Sequence, residues 1–185
     1  MMATLTELDQ MIIDGRGKSQ HFAETLIGQY YGYIHRLSVS ILGGPTDADD
    51  ICQETFIDAL LYIDRYSPGT CLKAWLSKIA VHKCLSVLRK RKLKRSLEHT
   101  IRHIQNISHN SPSELVTQSE KRREIWSAVN YLNEKHRIPI ILYYVYDLKI
   151  REIATILDIP EGTVSSRLYY AVQKLNTRLQ DMVED

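Results

Sequence analysis

Apolar side chains return every three or four residues along most of this chain, the repeat of helices that bury one side. Leu5, Leu8, Ile12 and Ile13 outline a short first helix, closed by Asp14-Gly15-Arg16-Gly17. Ser19 is placed to cap a longer one bearing Phe22, Leu26, Tyr30, Ile34 and Leu37, which ends at Gly43-Gly44-Pro45. Thr46 or Asp47 can cap a third, with Ile51, Cys52, Phe56, Ala59, Leu60 and Ile63 on its inner side. The loop Tyr66-Ser67-Pro68-Gly69-Thr70-Cys71 precedes a fourth stripe of Leu72, Trp75, Leu76, Ile79, Ala80 and Leu88. From Ser96 to Glu120 the pattern weakens into polar residues, although Leu97, Ile101 and Ile104 hint at a short helix. The pattern resumes with Ile125, Val129 and Leu132, then Ile140, Ile141, Leu142 and Val145, where Asn133 is read as a cap and Pro139 as part of the next helix's first turn. The fold class predicted is all-α: two small helical domains, 1–95 and 121–185, joined by a flexible linker over 96–120.

The last stretch, Lys149 to Leu175, holds two helical patterns around an abrupt turn. Ile150, Ile153, Ala154 and Leu157 form the first, Asp158-Ile159-Pro160 stops it, and Val164, Leu168, Ala171, Val172 and Leu175 form the second. So tight a turn forces a steep crossing, the geometry of a helix-turn-helix. The second helix would then offer Glu161, Thr163, Ser165, Ser166, Arg167, Tyr169 and Tyr170 to a major groove. An ordinary helical hairpin with a solvated polar face is the alternative.

A net charge of +2 does not announce a nucleic-acid partner, but its distribution is uneven. Pro45 to Ile63 carries Asp47, Asp49, Asp50, Glu54 and Asp58 with no lysine or arginine, whereas six of the seven residues from Arg89 to Arg95 are basic. Adjacent blocks of opposite sign suggest two partners, the alternative being two solvated faces. Cys52, Cys71 and Cys84 share no metal or disulfide spacing and read as small apolar residues of a reducing compartment. Without a signal peptide or an apolar run long enough for a membrane, the expected location is the cytoplasm. His99 and His103 share a helical spacing but have no carboxylate or thiol beside them, so no metal is expected. Gly17-Lys18-Ser19 lacks the upstream glycine and strand of a phosphate-binding loop, and no cofactor or enzymatic activity is indicated.

In this order the pieces resemble an RNA polymerase sigma factor of the extracytoplasmic-function type (group IV). The resemblance rests on Asp47-Ala48-Asp49-Asp50-Ile51-Cys52-Gln53-Glu54-Thr55-Phe56, Asp64-Arg65-Tyr66-Ser67-Pro68-Gly69, Ala74-Trp75-Leu76-Ser77-Lys78-Ile79-Ala80, and Ile153-Ala154 followed by Gly162-Thr163-Val164-Ser165-Ser166-Arg167-Leu168. It implies that Asp49, Asp50, Gln53 and Glu54 hold the clamp of core RNA polymerase. It further implies that the loop around Tyr66, Ser67, Thr70 and Leu72 takes a flipped base of the minus-ten element. Lys73, Lys78, His82, Lys83 and Arg89 would track the neighbouring strand and duplex. At the minus-thirty-five element, Thr163, Ser165, Ser166 and Tyr169 would read bases, with Arg167 and Lys174 nearer the phosphates. A membrane-linked anti-sigma factor is implied as a regulator. The chain departs from the family at Leu60, Leu72, His82, Ser86 and Asp158, where Trp, Phe, Asn, Asp and Gly are usual; Asp158 is still able to make the bend. The other reading is a stand-alone helix-turn-helix regulator that needs no polymerase. Five carboxylates beside a basic helix argue against it, since they add nothing to DNA binding.

Overall fold

The computed structural model describes residues 5–102 and 120–184, with side chains described for 5–94 and 124–180, and these residues are helical throughout apart from turns and short loops. The helices are α1 (Glu7–Ile13), α2 (Gln20–Leu42), α3 (Ala48–Leu61), α4 (Leu72–Arg102), α5 (Glu120–Tyr131), α6 (Glu134–Ile140), α7 (Ile150–Leu157) and α8 (Glu161–Glu184). They divide into two compact units, one holding α1 to α3, the first part of α4 and Ala154–Asp158, the other holding the rest of α4, α5, α6, the start of α7 and α8.

In the first unit α1 is fixed by a capping box. Thr6 accepts from the Asp9 N–H, and the Asp9 carboxylate accepts from the Thr6 N–H. Ser19 caps α2 as predicted, accepting from the Phe22 N–H at 3.2 Å, and Gly43 ends it with a left-handed φ of 77°. The core is built from Leu8, Phe22, Leu26, Ile34, Leu37, Ile41, Ile51, Phe56, Ile63 and Leu76. Each such burial contributes roughly 1.5–3 kcal/mol before chain entropy is subtracted. Asp47 does precede α3, but in a left-handed conformation (φ 68°) and without a side-chain cap, so Asp49 and Asp50 in the first turn complement the helix dipole instead.

Several sequence expectations shift. Ile13, Ile125 and Val145 are exposed rather than part of a buried stripe, and Cys71 is exposed whereas Cys52 and Cys84 are buried. Helix α4 continues through Ser96 to Arg102, past the start of the polar stretch. Residues 103–119 of that stretch, with His103, lie outside the described residues.

In the second unit Asn133 stands at the N-cap of α6, but Pro139 falls inside that helix and not in a first turn. A proline there donates no N–H to the carbonyl four residues back. The backbone then widens into a π turn, Ile141–Val145, where the Tyr146 N–H reaches Ile141 O at 3.2 Å. Ala128, Val129, Leu132, Ile138, Ile141, Leu142, Val164, Leu168 and Ala171 fill the core. Between α7 and α8, Asp158 makes the helix-turn-helix bend with a φ of 52°. Pro160 stands one residue ahead of α8, its carbonyl accepting from the Thr163 and Val164 N–H groups.

Candidate functional site: an acidic face and a nucleic-acid interface

Burial of Ile51, Cys52, Thr55, Phe56 and Ala59 turns the opposite side of α3 outward, and Asp49, Asp50, Gln53 and Glu54 are all exposed there. Two of the carboxylates have partners from other helices. The Tyr31 hydroxyl donates to Asp49 at 2.9 Å, the His35 Nε2 lies 3.5 Å from the same oxygen, and the two rings stack with centroids 6.0 Å apart. The hydrogen bond to Asp49, with some burial, pushes the Tyr31 hydroxyl above the usual phenol range. At the other end Lys83 of α4 lies 3.2 Å from Glu54 and 2.6 Å from Asp58. Burial opposes its charge, but the two carboxylates outweigh that and raise its ammonium above the ordinary lysine range. Lys83 thus joins α4 to the carboxylates of α3 through Glu54 and Asp58.

The loop between α3 and α4 begins after a single 3-10 turn, Ile63–Arg65. Pro68 and Gly69, the latter at φ 83°, occupy the corner of a type II turn in which the Thr70 N–H returns to Ser67 O at 3.1 Å. Ser67 and Thr70 are exposed at this corner, and the Thr70 hydroxyl also donates to Ser67 O at 2.7 Å. Tyr66 and Leu72 are instead buried, at 4% and 3% exposure. Both side chains turn inward and support the loop from within, Tyr66 packing 5.5 Å from the Trp75 ring. Lys73 is half-buried with its ammonium 4.4 Å over the Tyr33 ring, while Lys78 is half-buried and His82 and Arg89 are exposed.

On α8, Val164, Leu168 and Ala171 are buried, which leaves Ser165, Ser166, Tyr169 and Lys174 exposed and Thr163 and Arg167 half-buried. The Ser165 hydroxyl donates to Glu161 O at 3.1 Å and the Ser166 hydroxyl to Thr163 O at 3.0 Å. Tyr169 and Tyr170 meet edge to face, 5.6 Å apart. Behind this face, burial, then the charges of Lys174, Lys135 and Arg167, hold the buried His136 imidazole below the usual histidine range.

Sequence reasoning missed Tyr31 and His35, which approach Asp49 only once α2 packs on α3. It also missed Asp9, whose one local signal is the Thr-x-x-Asp spacing of a capping box. Among the described residues no group of three metal-ligating side chains comes together, and no helix is long and apolar enough to cross a membrane.

Two family models match this arrangement, Sigma-70 region 2 over residues 26–94 and Sigma-70, region 4 over residues 122–175. The first spans most of α2, α3 and most of α4; the second spans α5 to the middle of α8. The chain is 29% identical over 175 residues to the extracytoplasmic-function sigma factor SigW of Bacillus subtilis, covering 90% of this chain and 93% of that one. It is 28% identical over 185 residues to the sigma-E factor of Escherichia coli K12, covering 95% and 96%. Its fold is similar to that of the Bartonella quintana sigma factor RpoE, solved with the anti-sigma factor NepR. There the TM-score is 0.67 and the identity 24%, over 85% of this chain and 96% of that one. CnrH, solved with the cytosolic domain of CnrY, is similar in fold at a TM-score of 0.66 and 21% identity, over 94% and 98%. The chain belongs to the sigma-70 family, as an RNA polymerase sigma factor of the extracytoplasmic-function type.

Proposed function

We propose that the exposed faces divide the work of a promoter-specificity subunit, Asp49, Asp50, Gln53 and Glu54 gripping core RNA polymerase while the other surfaces grip promoter DNA. The observation that carries this reading is the exposure of those four polar side chains on one side of α3, away from the core beneath. The corner at Ser67 and Thr70, backed by the buried Tyr66 and Leu72, receives an unstacked base of the minus-ten element. Lys73, Lys78, His82 and Arg89 line the path of the adjoining strand, where phosphates require neutralising.

Helix α8 reads the minus-thirty-five element from the major groove. The hydrogen bonds to Glu161 O and Thr163 O engage the protons of Ser165 and Ser166, so their hydroxyls face the groove with lone pairs. Lone pairs complement the amino groups of adenine and cytosine. Thr163 and Tyr169 flank that contact, with Arg167 and Lys174 toward phosphates. The protein acts in the cytoplasm, has no catalytic activity of its own, and is regulated by an anti-sigma factor.

Retention on immobilised core polymerase tests the reading. The wild-type chain is retained and directs run-off transcription, while Asp50→Lys combined with Glu54→Lys abolishes both. Unchanged retention of the double variant overturns the assignment of the acidic face.

A further inference from the structure

Asp9 is only 1% exposed, yet it sits on a seven-residue helix outside both matched regions of the chain. Its two oxygens face different ways. Oδ2 accepts from the Thr6 N–H at 2.9 Å and the Thr6 hydroxyl at 2.8 Å, which completes the cap of α1. Oδ1 has nothing to do with that cap. It accepts from the Tyr66 hydroxyl at 2.8 Å and from the Gly69 N–H at 3.3 Å, across 57 and 60 residues of sequence. The single proton of the Tyr66 hydroxyl is shared with Thr70 O at 2.7 Å, so Asp9 touches the start and the corner of the turn that presents Ser67 and Thr70, and reaches its end only through Tyr66.

We propose that Asp9 is a positioning residue for the base-receiving loop, its Oδ1 holding Tyr66 and the Gly69 N–H so that the Ser67–Thr70 corner is set before DNA arrives. The proposal rests on the minus-ten assignment above. A buried carboxylate that loses its donors is heavily penalised, so the loop cannot swing away without exposing or stranding Asp9. Ordering the loop in the free protein removes that cost from the binding step, and it fixes the pocket against bases of the wrong shape.

The test uses holoenzyme assembled from core polymerase and the full chain, with a pool of single-stranded DNA randomised over a short window as the probe. Asp9→Ala and Tyr66→Phe each flatten the base preference at one position by about tenfold, and the double variant is no worse than the stronger single one, because both remove the same tether. Thr6→Ala removes the cap but leaves Oδ1 in place, and it keeps the wild-type preference. All variants keep wild-type affinity for core polymerase. Full preference in Asp9→Ala, equal loss in Thr6→Ala, or strictly additive losses overturn the proposal. If Asp9→Ala does not fold, Tyr66→Phe decides alone, and an unchanged preference there overturns it. A wild-type holoenzyme that enriches no sequence overturns the minus-ten assignment and this proposal with it, whereas selection by wild type and Asp9→Ala alike overturns only the latter.

Discussion

The ammonium of Lys83 lies 2.6 Å from the carboxylate of Asp58, which locks α4 to the acidic side of α3. With Glu54 as second partner and 18% of its side chain exposed, the lysine is better shielded than a surface pair, and Lys83→Met is expected to cost about 1 kcal/mol of stability. Because its charge is already compensated, the same change leaves the salt dependence of promoter binding as it was. Urea unfolding and a salt titration check the two halves separately. A slope reduced by about one unit would return Lys83 to the phosphate contacts.

Ser165, Ser166 and Arg167 are neighbours with different tasks. Arg167→Ala is expected to weaken promoter binding evenly across sequences and to reduce the salt slope by about one. Ser165→Ala and Ser166→Ala instead change base preference, each by roughly 1–3 kcal/mol where the contact is direct. Binding of a set of single-base promoter variants at two salt concentrations separates these outcomes. Equal losses from all three on every sequence contradict the division.

Burial first, and then Lys174, Lys135 and Arg167, keep His136 neutral in the fold. The unfolded chain gains a proton there as pH falls through about 6.5, while the folded chain does not. Its contribution to stability is therefore complete above that pH, shrinks below it, and stops shrinking once the lowered folded value is passed. Thermal midpoints measured across this window should fall less steeply for His136→Met than for wild type. The difference is at most about 1.4 kcal/mol per pH unit.

Asp147, at φ 52°, turns the chain from the π segment toward α7. Asn or Gly tolerates this conformation, and either substitution should leave stability within about 0.5 kcal/mol. A β-branched side chain does not, so Asp147→Val is expected to cost about 1–2 kcal/mol, read from the urea midpoint.

What could be read from the sequence is what neighbours in sequence decide. The stripe through Ile153, Val164 and Leu168 follows from helical spacing, and the bend at Asp158 from the ability of aspartate to take positive φ. The outward carboxylates of α3 follow from the apolar residues between them. Pro139 was misplaced because periodicity does not reveal a π turn that accommodates a missing donor. The partners of Lys83 and Tyr66 escape sequence reading for a different reason. Each has the composition of a DNA contact, but Lys83 meets Glu54 across 29 residues and Tyr66 meets Asp9 across 57, pairings that exist only after the helices pack.

The tether from Asp9 has a consequence for exchanging parts between relatives. A chimera that transplants residues 26–94 into another sigma factor carries Tyr66 and Gly69 but leaves behind the acceptor that both address. Such a hybrid would keep its grip on polymerase while its choice of start sites blurred, and adding Thr6 to Ile13 of this chain would sharpen it again.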